Sequence, residues 1–301
     1  MKSYNPELSI VTINYNGYAD TCDLIESLKE NETLPYELIV VDNSIQSETQ
    51  KIKEKYPHVN CIRSDKNEGF AAACNLGIRE AKADLIMLLN NDALVPKNSF
   101  FHLIERINSD SSIGAVSPKI LSYEKPHKIQ FAGYTELSTY TIRNEAIGSN
   151  KLETDIEDIA SLIPYCHGAC LLFKREVVEK CGYLPELYFL YYEEMDWCFS
   201  MRKGGYQLYY EPKSRVYHKE SSTVGLDSPL KVFYTTRNRM LFAQRNRFGI
   251  TKFISIAYLL AIATPRTFLL YLLKGKMPQA IAAMRAGFAF IRYGQKPNRY
   301  E

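Results

Sequence analysis

At 301 residues the chain is too long for one simple core and too short for three domains, so a main domain of roughly 200–230 residues with a C-terminal extension fits. A composition of 46% hydrophobic and 24% charged residues excludes a disordered scaffold, and fifteen glycines and thirteen prolines exclude collagen-like or low-complexity chains. The net charge of +3 hides an asymmetry. Residues 227–301 hold thirteen Lys/Arg against Asp227 and Glu301, a net of +11, which leaves −8 on the first 226 residues. A basic, apolar tail on an acidic body points to an anionic partner, either nucleic acid or a phospholipid surface.

In chain order, residues 8–14 (LSIVTIN) form an apolar β-branched run, and residues 18–31 follow with a helical pattern. Residues 36–42 (YELIVVD) predict a second strand, with a polar helix to about Tyr56. A short strand over 58–63, an Ala-rich helix over 70–82 and a fully apolar strand over 84–90 complete the alternation. Such strands separated by helices imply right-handed βαβ crossovers and a parallel sheet covered on both faces.

Open sheets of this kind bind ligands at the carboxyl ends of their strands. Those ends carry Thr12, Asn14, Tyr15 and Asn16; Asp42, Asn43 and Ser44; and Asn90, Asn91 and Asp92. One such cluster reads equally well as a turn or a helix cap, whereas three on one sheet favour a site. No GxGxxG follows the first strand and no GxxxxGK[ST] occurs, which excludes a dinucleotide-binding fingerprint and a P-loop. A metal held by Asp92 is then the obvious means of neutralising a bound phosphate.

From residue 113 the rhythm changes. Residues 113–121 and 165–174 predict strands, separated by a polar, irregular segment around 144–158. Residues 183–197 end in Glu193, Glu194 and Asp196, three carboxylates at the mouth of a helix whose dipole favours their ionised forms. His218 follows a predicted strand pair over 206–210 and 215–217. The seven cysteines are scattered without a CxxC pair, and buried thiols in a reducing cytosol outweigh a metal site. Residues 1–7 are polar and carry no apolar signal core, against a secretory leader.

An ordered set of motifs now carries a family resemblance: SIVTINYN at 9–16, VDNS at 41–44, NEGFAAACNLG at 67–77, LLNND at 88–92, Gly168-Ala169, EEMDW at 193–197, His218 and Arg237-Asn238. Over roughly residues 8–247 the chain resembles the inverting family-2 glycosyltransferases of the GT-A fold, in their bacterial rhamnosyltransferase-like branch. The resemblance implies an α/β fold with a Rossmann-like mixed, mainly parallel sheet flanked by helices. Residues 1–226 would form the nucleotide-sugar-binding and catalytic domain, and residues 227–301 a helical extension.

The resemblance also implies roles. Asp92, at the family's DXD position with only the last carboxylate kept, would hold Mg²⁺ or Mn²⁺ on the donor diphosphate, with His218 as second ligand. Asp42 would hydrogen-bond the nucleoside, with Thr12 and Tyr15 packing near the base. Asn14, Asn67, Gly69, Asn75, Asn90 and Asn91 would complete the donor site. Glu194 falls at the usual base position of the ED-x-D motif, where Asp is commoner, with Glu193 and Asp196 beside it. His167, Gly168, Ala169 and Trp197 would line the acceptor or sugar pocket. Arg202 could take over the ion pairing of an Arg that the family often has at the Ser200 position.

Residues 253–273 are about long enough to span a bilayer, but Pro265 and Arg266 fall inside them. Helices lying in the interface, flanked by basic residues, fit the pattern, and a packed bundle or an oligomer interface is the competing reading. The expectation is an enzyme moving a sugar, rhamnose in this branch, from a nucleotide-sugar to a cell-surface glycan or lipid-linked acceptor. It would work in the cytoplasm, on the inner face of the membrane, without nucleic acid. A metal-dependent nucleotidyltransferase would share the sheet and metal but lacks a Lys/Arg-rich phosphate loop near strand one. A non-catalytic nucleotide-sugar-binding homologue is disfavoured because Asp92, Glu194 and His218 are all present.

Overall fold

The computed structural model describes residues 6–219 and 227–294. The expected polar segment 1–7, the 226/227 boundary and the basic residues Lys296 and Arg299 therefore lie partly or wholly outside the described residues. The elements in chain order are β1 (Leu8–Asn14), α1 (Tyr18–Asn31), β2 (Tyr36–Asp42), α2 (Thr49–Lys55), β3 (Asn60–Arg63), α3 (Phe70–Glu80), β4 (Leu85–Leu89), β5 (Ala93–Leu94) and α4 (Phe101–Asn108). Then come β6 (Ile113–Ser122), β7 (Ile129–Phe131), β8 (Ser161–Leu162), β9 (Cys170–Lys174), α5 (Arg175–Cys181), α6 (Glu193–Lys203) and β10 (Gln207–His218). Four helices close the described chain: α7 (Pro229–Asn246), α8 (Gly249–Tyr258), α9 (Thr264–Leu273) and α10 (Met277–Tyr293).

One mixed sheet organises these elements in the order β3-β2-β1-β4-β9-β6-β10-β5, with β7 on β6 and β8 on β10. The first four strands are parallel, as their apolar runs predict, with Asn14 beside Asp42 at one edge. Antiparallel β9 then places Cys170 opposite Leu89, and β6 and β10 run parallel to each other with His218 opposite Ser122. The ends of β1, β2, β4, β6 and β10 and the start of β9 therefore share one edge. Helix α3 lies close against the sheet on its Ala/Gly face: a Cβ on Gly77 would stand 2.3 Å from Val11 Cγ1.

Two expected strands are redrawn. The strand predicted from residue 165 begins only at Cys170, because the backbone N–H groups of His167 and Ala169 donate to the Ser117 hydroxyl and to His167 Nδ1 rather than to a ladder. The predicted pair over 206–210 and 215–217 is one strand, β10. Its register slips between Glu211 and Arg215, where Pro212 has no N–H to give.

The C-terminal helices join the body through α7. Met240, Leu241, Phe242 and Ala243 sit in the main hydrophobic core, while Val232, Phe233 and Tyr234 form a second cluster with alanines of α10. Residues Gly249–Leu273 run as one helix of 25 residues, long and apolar enough to cross a membrane, through a π-helical segment at Leu259–Ala263 just ahead of Pro265. Only 22% of its most apolar stretch is buried. All seven cysteines are free thiols, and only Cys181 is not fully buried.

Candidate active site

The shared edge gathers most of the expected residues, and their partners divide them into two groups. Asp42 belongs to the first. Its Oδ2 accepts from Ser47 Oγ (2.9 Å), Glu48 N (2.7 Å), Thr49 N (2.9 Å) and Thr49 Oγ1 (2.8 Å), and its Oδ1 from Ser44 N and Asn14 Nδ2 (3.2 Å each). Arg63 adds an ion pair at 3.3 Å. Burial pushes the Asp42 carboxyl up, but the hydrogen bonds from Ser44, Thr49 and the Glu48 amide outweigh it and hold the group well below the usual carboxylate range. Both oxygens are thus engaged from within the chain, which leaves little acceptor capacity for the nucleoside contact expected of Asp42.

Asn14 is spent in the same network: its amide lies within hydrogen-bonding distance of Asp42, Ser44 and Glu48, and its Oδ1 accepts from Thr21. Asn75, expected near the donor, donates from Nδ2 to Leu184 O (2.9 Å) and Glu186 Oε1 (2.8 Å) and accepts Leu184 N (3.1 Å). It staples the segment after α5 onto α3. Asn91 turns toward α1, donating to Thr21 Oγ1 at 3.1 Å.

Among the described residues two buried atoms at this edge have no hydrogen-bond partner, Thr12 Oγ1 on β1 and Asn43 Oδ1 beyond β2. Asn43 Nδ2 donates to Asn67 Oδ1 (3.0 Å), which also accepts Gly69 N (3.1 Å). Tyr15 stands half-buried at the end of β1. Asn43 stands in the strand-end cluster read from the sequence but received no role there.

Across the edge, Asp92 Oδ1 lies 3.1 Å from His218 Nε2, and both residues are buried. His218 Nδ1 lies 3.0 Å from Gln130 Oε1, an acceptor that fixes the proton on Nδ1, and Gln130 Nε2 donates to His218 O at 3.0 Å. Nε2 is thereby directed at Asp92 and at Asn90 Nδ2, 3.3 Å away. Gln130 could not be found from sequence, because it lies 88 residues from His218 and reaches it only through the β6–β7 pairing. Among the described residues no group of three or more His, Cys, Asp or Glu side chains converges. Two ligands on one side suit a hard divalent cation that shares its shell with a phosphate and water.

His167 stacks on Tyr134 with centroids 5.9 Å apart and lies 6.1 Å from His218. Its Nδ1 accepts Ala169 N at 3.0 Å, and burial, with the neighbouring His218, lowers its pKa to about 3, so it stays neutral. Ala169 itself is buried and lends its carbonyl to Asn90 N. Gly168 lies under Glu194: a Cβ there would stand 3.6 Å from Glu194 Cγ. Contacts thus run from Asp92 through His218, His167 and Gly168 to Glu194.

The carboxylate cluster separates into three environments. Glu194 sits in the first turn of α6, partly exposed, its carboxyl pushed up by burial against opposing backbone hydrogen bonds. Glu193 is buried with Oε2 unpartnered, and burial and Glu194 raise its carboxyl well above the ordinary range. Asp196 is buried and saturated, accepting from Tyr188 OH (2.6 Å), Arg245 Nε (2.7 Å) and Asn246 Nδ2 (3.0 Å). It ties α6 to α7, and both its oxygens are taken up by these partners. Trp197, expected in the sugar pocket, is instead a core residue. It is 1% exposed, packs edge-on against Phe173 and donates to Gly182 O at 2.8 Å. Arg202 pairs with Glu136, which also accepts from Tyr165 OH.

A mixed sheet that presents polar strand ends, a His–Asp pair and the Glu193–Glu194 carboxyls along one edge has its ligand site at the carboxyl ends of its strands. The family model Glycosyl transferase family 2 matches residues 9–182, more than half the chain, and the chain belongs to that family. The match ends ahead of Glu193, Glu194 and His218.

The chain is 26% identical over 240 residues to the low-salt glycan biosynthesis hexosyltransferase Agl10 of Haloferax volcanii, covering 78% of this chain and 75% of that protein. It is 25% identical over 259 residues to the dTDP-rhamnosyl transferase RfbF of Shigella flexneri, covering 81% and 78%. Among solved structures it resembles GalNAc-T7 with UDP, GalNAc and Mn2+, with a TM-score of 0.61 and 16% identity over 88% of this chain and 58% of that one. The last likeness shows the GT-A type of fold, a mixed α/β sheet flanked by helices, as the motifs imply. The protein is a glycosyltransferase of family 2.

Proposed function

We propose that the protein moves a sugar from a nucleoside-diphosphate sugar to a hydroxyl of a glycan or lipid-linked acceptor, inverting the anomeric carbon. The observation that carries this reading is the run of contacts joining Asp92 and His218 to Glu194 across His167 and Gly168. Asp92 and His218 would hold Mg²⁺ or Mn²⁺, which when bound supplies positive charge for the departing diphosphate. Gln130 orients His218 for that task. Tyr15, half-buried at the end of β1, is placed to pack on a nucleobase, and Asp42 serves by holding the 44–49 loop in shape. Asn67 and Gly69 keep Asn43 in place.

Glu194 accepts the proton of the acceptor hydroxyl as its oxygen bonds to the anomeric carbon. The electron pair of the old glycosidic bond leaves with the nucleoside diphosphate. Burial suits Glu194 to the role, since a raised pKa makes its carboxylate a stronger proton acceptor. Glu193, adjacent and buried, has its carboxyl raised further by burial and by Glu194 and is the less accessible of the two.

The names of relatives favour a deoxyhexose such as rhamnose carried on dTDP as the first donor to test. Residues 1–226 carry the donor and acceptor chemistry, while residues 227–301 contribute α7 to the body and α8–α10 as a membrane-facing extension. Their apolar side chains Phe253, Leu273 and Phe288 are 71%, 84% and 66% exposed, Lys252 and Arg285 lie on α8 and α10, and Lys274 follows the last residue of α9. An anionic bilayer fits such a face better than water does.

Isothermal titration with dTDP or UDP, with and without Mn²⁺, tests the metal part. Binding should tighten with the ion in the wild type, and Asp92→Ala should abolish the difference. Equal affinity in Mn²⁺ and in chelator for the wild type contradicts it.

A further inference from the structure

Resting on the glycosyl-transfer reading above, one unassigned device concerns the segment ahead of Glu193. Phe189, Tyr191 and Tyr192 take positive φ values of 68°, 68° and 78°, a conformation that side-chain-bearing residues rarely adopt. Such backbone persists only where its surroundings over-determine it. Phe189, at φ 68° and ψ −53°, lies close to the strained γ-turn region.

The surroundings are identifiable. From α3, Phe70 N donates to Phe189 O at 2.7 Å, and Asn75 grips residue 184. From α7, Asn238 Nδ2 lies 3.1, 2.8 and 2.7 Å from the carbonyl oxygens of Tyr188, Leu190 and Tyr191. Arg237 Nη2 reaches Leu187 O (3.2 Å) and Tyr188 O (2.8 Å), and its Nε donates to Asn238 Oδ1 (3.0 Å), which orients the amide. Both side chains are buried, and Tyr234 beside Arg237 helps accommodate the charge. Arg237 and Asn238 thus collect the carbonyls of Leu187, Tyr188, Leu190 and Tyr191, directly before the helix that carries Glu194.

We propose that Arg237 and Asn238 are positioning residues that hold the 187–191 backbone so that α6 starts where Glu194 meets the acceptor hydroxyl. They touch neither sugar nor nucleotide. They fix the departure point of α6, and with it the lie of Glu194 over Gly168. Glu194 faces Glu193 on its own helix, Tyr191 and Tyr192 in the loop and Cys74 from α3, and these neighbours partly shield its carboxyl from water.

The test uses the full chain carrying Asn238→Ala and, separately, Arg237→Lys. Turnover is expressed per nucleotide-binding site counted by titration, so that an unfolded fraction does not enter. Asn238→Ala should lower kcat on the order of 10²-fold, the scale for misplacing a reacting group by about 1 Å. Donor KM should stay within about twofold. The acid limb of the rate profile should move to lower pH as water reaches Glu194. Arg237→Lys, which keeps a cation but fewer donors, should show a smaller loss of the same kind and serves if Asn238→Ala does not fold. Unchanged kcat per site, or a loss confined to KM, overturns the clamp. A wild-type enzyme that binds nucleotide but transfers no sugar to any acceptor overturns the underlying reading instead.

Discussion

Gly69→Ala perturbs the loop from the opposite side and its cost can be worked from the structure. Gly69 has φ +104°, and a Cβ built there stands 2.3 Å from Phe189 O and 2.7 Å from Phe189 Cα. Real Cβ contacts are essentially never below 3.0 Å, so the Phe189 carbonyl has to retreat by about 0.7 Å. That movement strains the 2.7 Å hydrogen bond from Phe70 N. A side chain at this φ costs about 1–3 kcal/mol and a weakened hydrogen bond about 0.5–1.5 kcal/mol, so a destabilisation of about 2–4 kcal/mol is expected.

Gly182→Ala is the matched control. It also has positive φ, at +80°, but nothing lies within 4 Å of its Cβ, so it should pay the backbone cost alone. Urea unfolding followed through the single buried tryptophan, Trp197, measures both variants, and turnover at saturating donor follows the Glu194 position. Gly69→Ala should be the less stable by about 1 kcal/mol or more and should lose turnover about tenfold or more, while Gly182→Ala should keep it. Equal stability and equal turnover in the two variants would refute the close approach between Gly69 and Phe189.

Two further outcomes follow from other parts of the molecule. The depressed Asp42 pKa stabilises the fold fully above the unfolded carboxyl's value of 3.8, and that stabilisation is lost as pH falls through the lower folded value. Asp42→Asn should therefore cost about 3–5 kcal/mol near neutrality and flatten the acid side of the stability curve; an unchanged acid slope in chemical unfolding would show that the carboxylate is not held as described. Serine at Phe253, Leu273 and Phe288 together should abolish co-sedimentation with phosphatidylglycerol vesicles, and salt should weaken the wild type's binding, because its electrostatic share is screened. Undiminished sedimentation of the triple variant would contradict the membrane-facing reading of α8–α10.

How far the sequence carried these conclusions depended on the kind of signal. The runs at 8–14, 36–42 and 84–90 announced parallel strands because residues buried on both faces must be apolar, and the polar residues just past them marked the binding edge. Strand partners carry no such mark. Antiparallel β9 entered between β4 and β6, and residues 165–169 became a loop because side chains, not a neighbouring strand, took their N–H groups. Residue type also failed to say whether a polar group is used inward or outward. Asp42, Asn75 and Asp196 look equivalent to site residues in sequence, yet each is saturated by the chain itself. The basic count of the tail concealed that Arg237 and Arg239 are buried, the latter on Thr141 O, so a charge that looked available to a partner is partly internal.

The most direct test of the whole account is Glu194→Gln at saturating donor and acceptor. The substitution keeps the volume and the hydrogen-bonding reach while removing the proton acceptor, so nucleoside-diphosphate affinity should persist and kcat should fall by about 10²–10⁴-fold, the usual worth of a positioned base. Near-normal turnover in Glu194→Gln would contradict the assignment.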